Sequence, residues 1–210
     1  MISVKAFQVG VLATNCYVVT DNATGATALI DPGFEDVRVT NELLAAGKEN
    51  VKFVILTHGH FDHIGSAYHY AKLFDAQIVI SSADAPFLSD DRLNLSYMVG
   101  TTLEEPFYAD ITLEDGDVIN LGETELKFIL TPGHTCGSGC YISEADKVIF
   151  SGDTLFCGSI GRTDFPTSDP VKMQLSLRKL KNLAGDYKVY AGHDMSTTLA
   201  KERECNIYMR

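Results

Sequence analysis

No stretch of the 210-residue chain approaches the ~20 consecutive apolar residues that a bilayer crossing needs, so no membrane-spanning helix is expected. Basic runs are missing as well. Against 28 aspartates and glutamates stand 17 lysines and arginines, a formal net charge of −11. Such a surface repels nucleic acid and anionic membranes at long range, and neither is expected as a partner. The opening Met1-Ile2-Ser3-Val4-Lys5 alternates and lacks the basic-then-apolar layout of a secretory leader. Cysteines are few and odd in number: Cys16, Cys136, Cys140, Cys157 and Cys205. A chain of this length buries roughly 70% of its unfolded surface and needs no covalent staples. Reduced thiols and a cytoplasmic location are the expectation. No low-complexity linker or composition break divides the chain, so residues 1–210 read as one domain.

What is present is a succession of short apolar runs. Residues 3–9 alternate with period two, 16–20 and 26–30 are apolar, and turn-forming Asp21-Asn22-Ala23-Thr24-Gly25 separates the last two. This predicts an antiparallel meander. A helix-like pattern over 36–47 ends at Gly47. Strands are expected at 51–56 and 76–80, and helices at 62–75 and 83–89. The stretch 90–112 has no clean period and predicts a loop or short helices. Further strands follow near 117–120, 124–130, 139–143, 147–151 and 187–191. A helix over 170–183 has Asp169-Pro170 as its cap and first residue, and Ser196 to Glu204 has helical character. Sheets covered by helices, an α/β layered sandwich, result.

Four of the apolar runs stop in the same manner. Val51 to Thr57 runs into His58-Gly59-His60-Phe61-Asp62-His63, and Leu126 to Thr131 into Pro132-Gly133-His134. Val148 to Ser151 runs into Gly152-Asp153, and Tyr187 to Ala191 into Gly192-His193. Loops leaving neighbouring strand ends converge on one rim in layered α/β folds. Five of the six histidines lie at these ends; His69 is the exception. His58 and His60, two apart on an extended segment, can face one ion, while Asp62 and His63 beyond the bend can face a second position. A single histidine after a strand is commonly a cap, and Asp153 alone would serve to end a strand. Three histidines and an aspartate within six residues are not explained that way. Nitrogen and oxygen donors without cysteine suit Zn²⁺, Fe or Mn²⁺ rather than a closed structural zinc site. Such an ion lowers the pKa of its water from 15.7 to about 7.

Thr57-His58-Gly59-His60-Phe61-Asp62-His63 resembles the THxHxDH signature of the metallo-β-lactamase fold superfamily, and Gly133-His134-Thr135, Gly152-Asp153-Thr154 and Gly192-His193 follow in that superfamily's order. The resemblance implies a four-layer αββα sandwich with a metal site on one edge. It implies His58, His60 and His134 on one cation, Asp62, His63 and His193 on a second, and Asp153 bridging both. Asp31-Pro32-Gly33 and Gly152-Asp153-Thr154-Leu155-Phe156 are most similar to glyoxalase II-like thiolesterases. The absence of a cysteine at the second site argues against β-lactam hydrolysis. The glutathione-contacting helical domain of glyoxalase II has no counterpart in the 17 residues after His193, so glutathione specificity does not transfer. Cys136 stands where a proline is usual and Asp194 where glycine is usual; Asp tolerates left-handed backbone.

The resemblance therefore implies a hydrolase of small S-2-hydroxyacyl thiolesters that uses two divalent cations, zinc first among them, with Asp62 and Asp153 in the reaction. Gly161-Arg162-Thr163-Asp164-Phe165 also occurs in persulfide dioxygenases, which use one iron, and that activity or lactone hydrolysis stands as the alternative. Arg162 is a candidate fork for a substrate carboxylate, or a partner for Asp164 that holds a loop. Tyr97, Tyr108 and Tyr141 are pocket candidates by composition only, with packing the simpler role for each. Cys136, two residues from a proposed ligand, reads as a small filler on a turn rather than a redox group.

Overall fold

The computed structural model describes residues 1–100, 103 and 106–210, and two six-stranded sheets dominate it. The first begins as the expected meander: β1 (Ile2–Val9), β2 (Thr14–Asp21) and β3 (Thr27–Ile30) pair antiparallel. It continues in parallel through β4 (Val51–Ile55), β5 (Gln77–Ser81) and β6 (Ile111–Leu113). Helices α1 (Val37–Ala46), α2 (Phe61–Ile64) and α3 (Ala67–Phe74) fill its crossovers. In the second sheet β7 (Val118–Leu121), β8 (Thr124–Leu130), β9 (Gly139–Ser143) and β10 (Val148–Gly152) run antiparallel. Helix α4 (Pro170–Lys181) then carries the chain to β11 (Lys188–Ala191), parallel to β10. The two-residue β12 (Thr197–Thr198) and α5 (Leu199–Cys205) finish that side. Among the described residues no helix is long and apolar enough to cross a membrane.

Strand side chains alternate between faces, so each doubly covered strand feeds two cores and reads as a continuous apolar run. Tyr17, Val19, Ile30, Ile55 and Val79 point between the sheets and meet Phe128, Tyr141 and Phe150. Their neighbours Cys16, Val18, Leu29, Val54 and Ile80 point outward onto Val39 and Leu43 of α1 and Tyr70 and Phe74 of α3. On the far side Cys140, Ile142, Ile149 and Val189 pack under Met173, Leu177 and Leu180 of α4 and Leu199 of α5. Three stacked apolar interfaces make four layers. The αββα expectation holds.

Several boundaries differ for local reasons. The helix expected over 62–75 is broken into α2 and α3. Ser66 N donates to Pro32 O at 2.9 Å, and a Cβ on Gly65 would meet Gly33 O at 2.3 Å, so the chain leaves the helical path there to pass the β3 end. In place of a helix at 83–89 stands a 3-10 turn, Ala85–Ser89, with Pro86 removing a backbone donor. Within 90–112 lies a second such turn, Ser96–Val99, while the three-residue β6 was too short to show a period. Residues 101, 102, 104 and 105 of that stretch lie outside the described residues. The helix expected from Ser196 begins at Leu199, because Thr197 and Thr198 first pair with β11.

The cap of α4 is as expected. Asp169 accepts from Val171 N and Lys172 N at 2.9 and 3.0 Å, and Pro170 occupies the first turn. Arg178, Lys179 and Lys181 in the last turn suit the negative end of the helix dipole. Asp169→Ala should cost about 1 kcal/mol. In a thermal melt that appears as a drop in Tm of roughly 2–4 °C for a chain of this size.

Candidate metal centre

The four strand ends open onto one edge of the sandwich, where close contacts hold the turns that carry the ligand-type residues. At the β4 end Thr57 donates from N and from Oγ1 to the Asp31 carboxylate, at 2.8 and 2.7 Å. Helix α2 starts directly after His60 and turns Asp62 and His63 back toward His58. Gly152, after β10, has φ +46° and lies so close to Thr57 that a Cβ would meet its Oγ1 at 2.3 Å. Asp194 follows His193 at φ +63°, the left-handed geometry expected at that position.

His58, His60, Asp62, His63, His134, Asp153 and His193 all come together. Their potential ligand atoms form three groups, each within 4.8 Å: His58 with His60 and His134, His58 with His63 and Asp153, and Asp62 with His63 and His193. His60 Nδ1 lies 2.9 Å from His134 Nε2, and His63 Nε2 lies 3.3 Å from His193 Nε2. Asp153 reaches both sides, 3.4 Å from His63 Nε2 and from His134 Nε2 and 3.6 Å from His193 Nε2. Buried polar atoms normally have partners, yet among the described residues His58 Nε2, His60 Nε2 and Asp153 Oδ1 have no hydrogen-bond partner. Orphaned donors and acceptors in a nitrogen-and-oxygen cluster fit cation binding, so the residues present can hold metal ions.

A layer of partners aims these rings. His134 Nδ1 donates to the Arg162 carbonyl at 2.9 Å; a carbonyl only accepts, so the Nε2 lone pair of His134 faces the cluster. His63 Nδ1 lies 2.9 Å from Asp31 Oδ2, which turns Nε2 inward. Asp84, wholly buried, ties two ligand loops together: it accepts from Gly59 N and Thr135 Oγ1 on one oxygen and from Gly137 N on the other, at 2.7–2.9 Å. Burial and neighbouring imidazoles push His58 and His60 well below the ordinary histidine range. Burial would do the same to His63, but Asp62, Asp153 and Asp31 outweigh it and raise that group well above the usual range. Burial also works to raise Asp62, and is overcome by His63 and His193, which hold the carboxyl well below its ordinary value.

Above the cluster lies a cavity of about 550 Å³. Leu12, Phe61, Leu95, Phe156, Ile160 and Phe165 give it apolar walls. Arg162 lines it too, but its guanidinium forks onto Asp164 at 2.6 and 2.8 Å and stacks over Phe165. Of the tyrosines, Tyr141 is buried between the sheets and donates to Leu56 O, while Tyr97 and Tyr108 are exposed and outside the cavity lining. His69 stands apart, 3.2 Å from Glu35. The Cys136 thiol is pushed up to about 11 by burial and by Asp84, which suits an inert turn filler. Sequence reasoning assigned no role to Asp31, Asp84 or the Arg162 carbonyl. Their partners lie 25 to 53 residues away, so the local sequence does not show what each of them holds.

Known proteins share this arrangement. The family model of the metallo-β-lactamase superfamily matches residues 9–193. A Haemophilus influenzae protein named hydroxyacylglutathione hydrolase GloC is 34% identical, over 100% of this chain and 96% of its own. The solved BLEG-1 B3 metallo-β-lactamase superposes with a TM-score of 0.90 at 30% identity, over 100% of this chain and 99% of its own. TTHA1623 in a di-iron-bound form gives 0.85 at 29% identity, over 97% and 99%. By that match, carried on two sheets whose shared edge gathers the histidines and aspartates of the family signature, the chain belongs to the metallo-β-lactamase superfamily.

Proposed function

We propose that the chain is a metal-dependent hydrolase of small thiolesters of the S-2-hydroxyacyl type, working with two divalent cations. One observation carries the reading: the nitrogen-and-oxygen cluster forms the floor of a cavity with mostly apolar walls. His58, His60 and His134 would hold one cation, Asp62, His63 and His193 the other, and Asp153 stands between them. Zinc, iron and manganese all suit these donors. Cations bound there supply Lewis acidity and bring a water's pKa from 15.7 to about 7. Asp62 lines the cavity, stays ionised and accepts from Thr14 Oγ1 at 3.2 Å, so it can orient a water by accepting its hydrogen bond. Phe61, Phe156, Ile160 and Phe165 keep bulk water off the acyl group. A thiolate leaves readily, so no strong general acid is required of the chain. Arg162 would bind a substrate carboxylate by exchanging Asp164 for it; their pair is exposed, and exposed pairs contribute little. The name of the Haemophilus relative supports the acyl-thiolester class.

The test is a panel assay on native-purified protein before and after chelation, with S-lactoylglutathione, a lactone, a β-lactam and a persulfide. The β-lactam belongs there because a structural neighbour carries that name. Thiolester cleavage that chelation abolishes and added metal restores is expected. Oxygen uptake on the persulfide without thiolester cleavage would overturn the reading. Asp153→Ala should lower turnover by more than about a hundredfold and reduce bound metal, read by elemental analysis.

A second expectation concerns protons. In the metal-free protein the three carboxylates around His63 keep its imidazole protonated near neutrality, whereas His58 and His60 are already neutral. Cation loading at the Asp62–His63–His193 group must expel that proton, so affinity there falls as pH drops. Calorimetric titration in two buffers of different ionisation enthalpy should report release on the order of one proton per chain. Equal heats in both buffers would count against this assignment of His63.

A further inference from the structure

Three polar side chains beyond the family-matched residues 9–193 meet in the interior: Thr197 on β12, Glu202 on α5 and Asn206 just past its end. Glu202 is 1% exposed and Asn206 0%. A carboxylate so far from water needs donors, and Glu202 has three. Thr197 Oγ1 donates to Oε1 at 2.6 Å, and Gly158 N and Asn206 Nδ2 donate to Oε2 at 2.8 and 2.9 Å. Asn206 Nδ2 also donates to Ser159 O at 3.1 Å. Two bonds of this network therefore end on one turn, residues 156–159.

The turn closes on itself through Phe156 N to Ser159 O at 3.0 Å and Ser159 N to Phe156 O at 3.4 Å, Lys201 Nζ of α5 donates to Cys157 Sγ at 3.7 Å, and nothing lies within 4 Å of where a Cβ on Gly158 would stand. It leads the segment that forms one wall of the cavity through Phe156, Ser159, Ile160 and Arg162. The Phe156 ring stands edge-on to His193, centroids 6.0 Å apart. The mechanism above uses neither Glu202 nor Asn206.

We propose that Glu202 and Asn206 are positioning residues for substrate: a buried carboxylate–amide clamp by which the C-terminal segment fixes the 156–162 wall. The inference rests on the hydrolase reading. The clamp's own hydrogen bonds end on the wall turn and on none of the seven cluster residues. A wall fixed in advance spares the substrate the cost of ordering it, so the clamp acts on binding.

The test compares Glu202→Ala, Asn206→Ala and Glu202→Gln with the unaltered protein, on S-lactoylglutathione. The two alanine variants should raise KM at least about tenfold with kcat nearly unchanged, the split that loss of uniform binding gives. Metal per chain should stay at the wild-type level. Glu202→Gln should restore most of the affinity, because an amide oxygen can take the Gly158 and Asn206 donors while its NH2 donates to Thr197 Oγ1. Hydrogen exchange over 155–162 should quicken in the alanine variants and stay unchanged over 57–64. Unaltered KM and unaltered exchange would overturn the proposal, as would metal loss in step with activity. Should Glu202→Ala not fold, Asn206→Ala and Thr197→Val put the same question. If the unaltered protein leaves S-lactoylglutathione intact, it is the hydrolase reading on that substrate that fails, and exchange over 155–162 alone decides the clamp.

Discussion

Desolvation governs this structure. Five imidazoles and two carboxylates share one rim, six of the seven with less than a tenth of their surface exposed, and each would be better hydrated alone. Buried groups of this kind persist only when their charges offset one another and their remaining atoms are bonded. Asp31 meets that need on one side by accepting from both Thr57 atoms and facing His63. Asp84 meets it on the other, gathering the loops of His58–His60 and of His134–Gly137 around a single carboxylate. Among the described residues the buried side-chain atoms left without hydrogen-bond partners are those of the cluster itself, which is where unbalanced polarity is useful.

The two outer scaffolds make such a rim attainable. Apolar runs such as Val54–Ile55–Leu56 and Ile78–Val79–Ile80 are buried on both faces, so their register cannot slip without exposing one set of side chains. Rigid strands then deliver their final residues to fixed places, and short loops complete the geometry. Close approaches enforce it. At Gly192 a Cβ would stand 2.2 Å from Asp153 Oδ1, so the smallest residue is the one that lets the carboxylate sit between the two histidine groups.

Much of this was readable in the linear chain, because it depends on short-range chemistry. The six residues from His58 to His63 announce themselves by spacing, and Asp169-Pro170 by cap preference. The break between α2 and α3 was not readable, since it arises where Ser66 and Gly65 meet the distant Pro32–Gly33 backbone. Nor was the role of Asp84, which lies in a stretch that reads as a helix over 83–89. Arg162 shows a third kind of difficulty: its side chain invites a functional reading, while its carbonyl is the part that touches a cluster histidine. Backbone groups leave no trace in residue identity.

Each of the two outer ligand-type groups takes members from both sheets. His58, His60, Asp62 and His63 leave the first, whereas His134 and His193 leave the second. Whatever those groups grip would therefore act as a rivet across the seam, added to the apolar contact between the inner faces and to cross-sheet hydrogen bonds such as Tyr141 Oη to Leu56 O and Asn15 Nδ2 to Ala191 O. Emptying them would leave two slabs freer to shear, so loss of the inorganic partner would register as a mechanical loosening of the whole sandwich as well as a chemical silence.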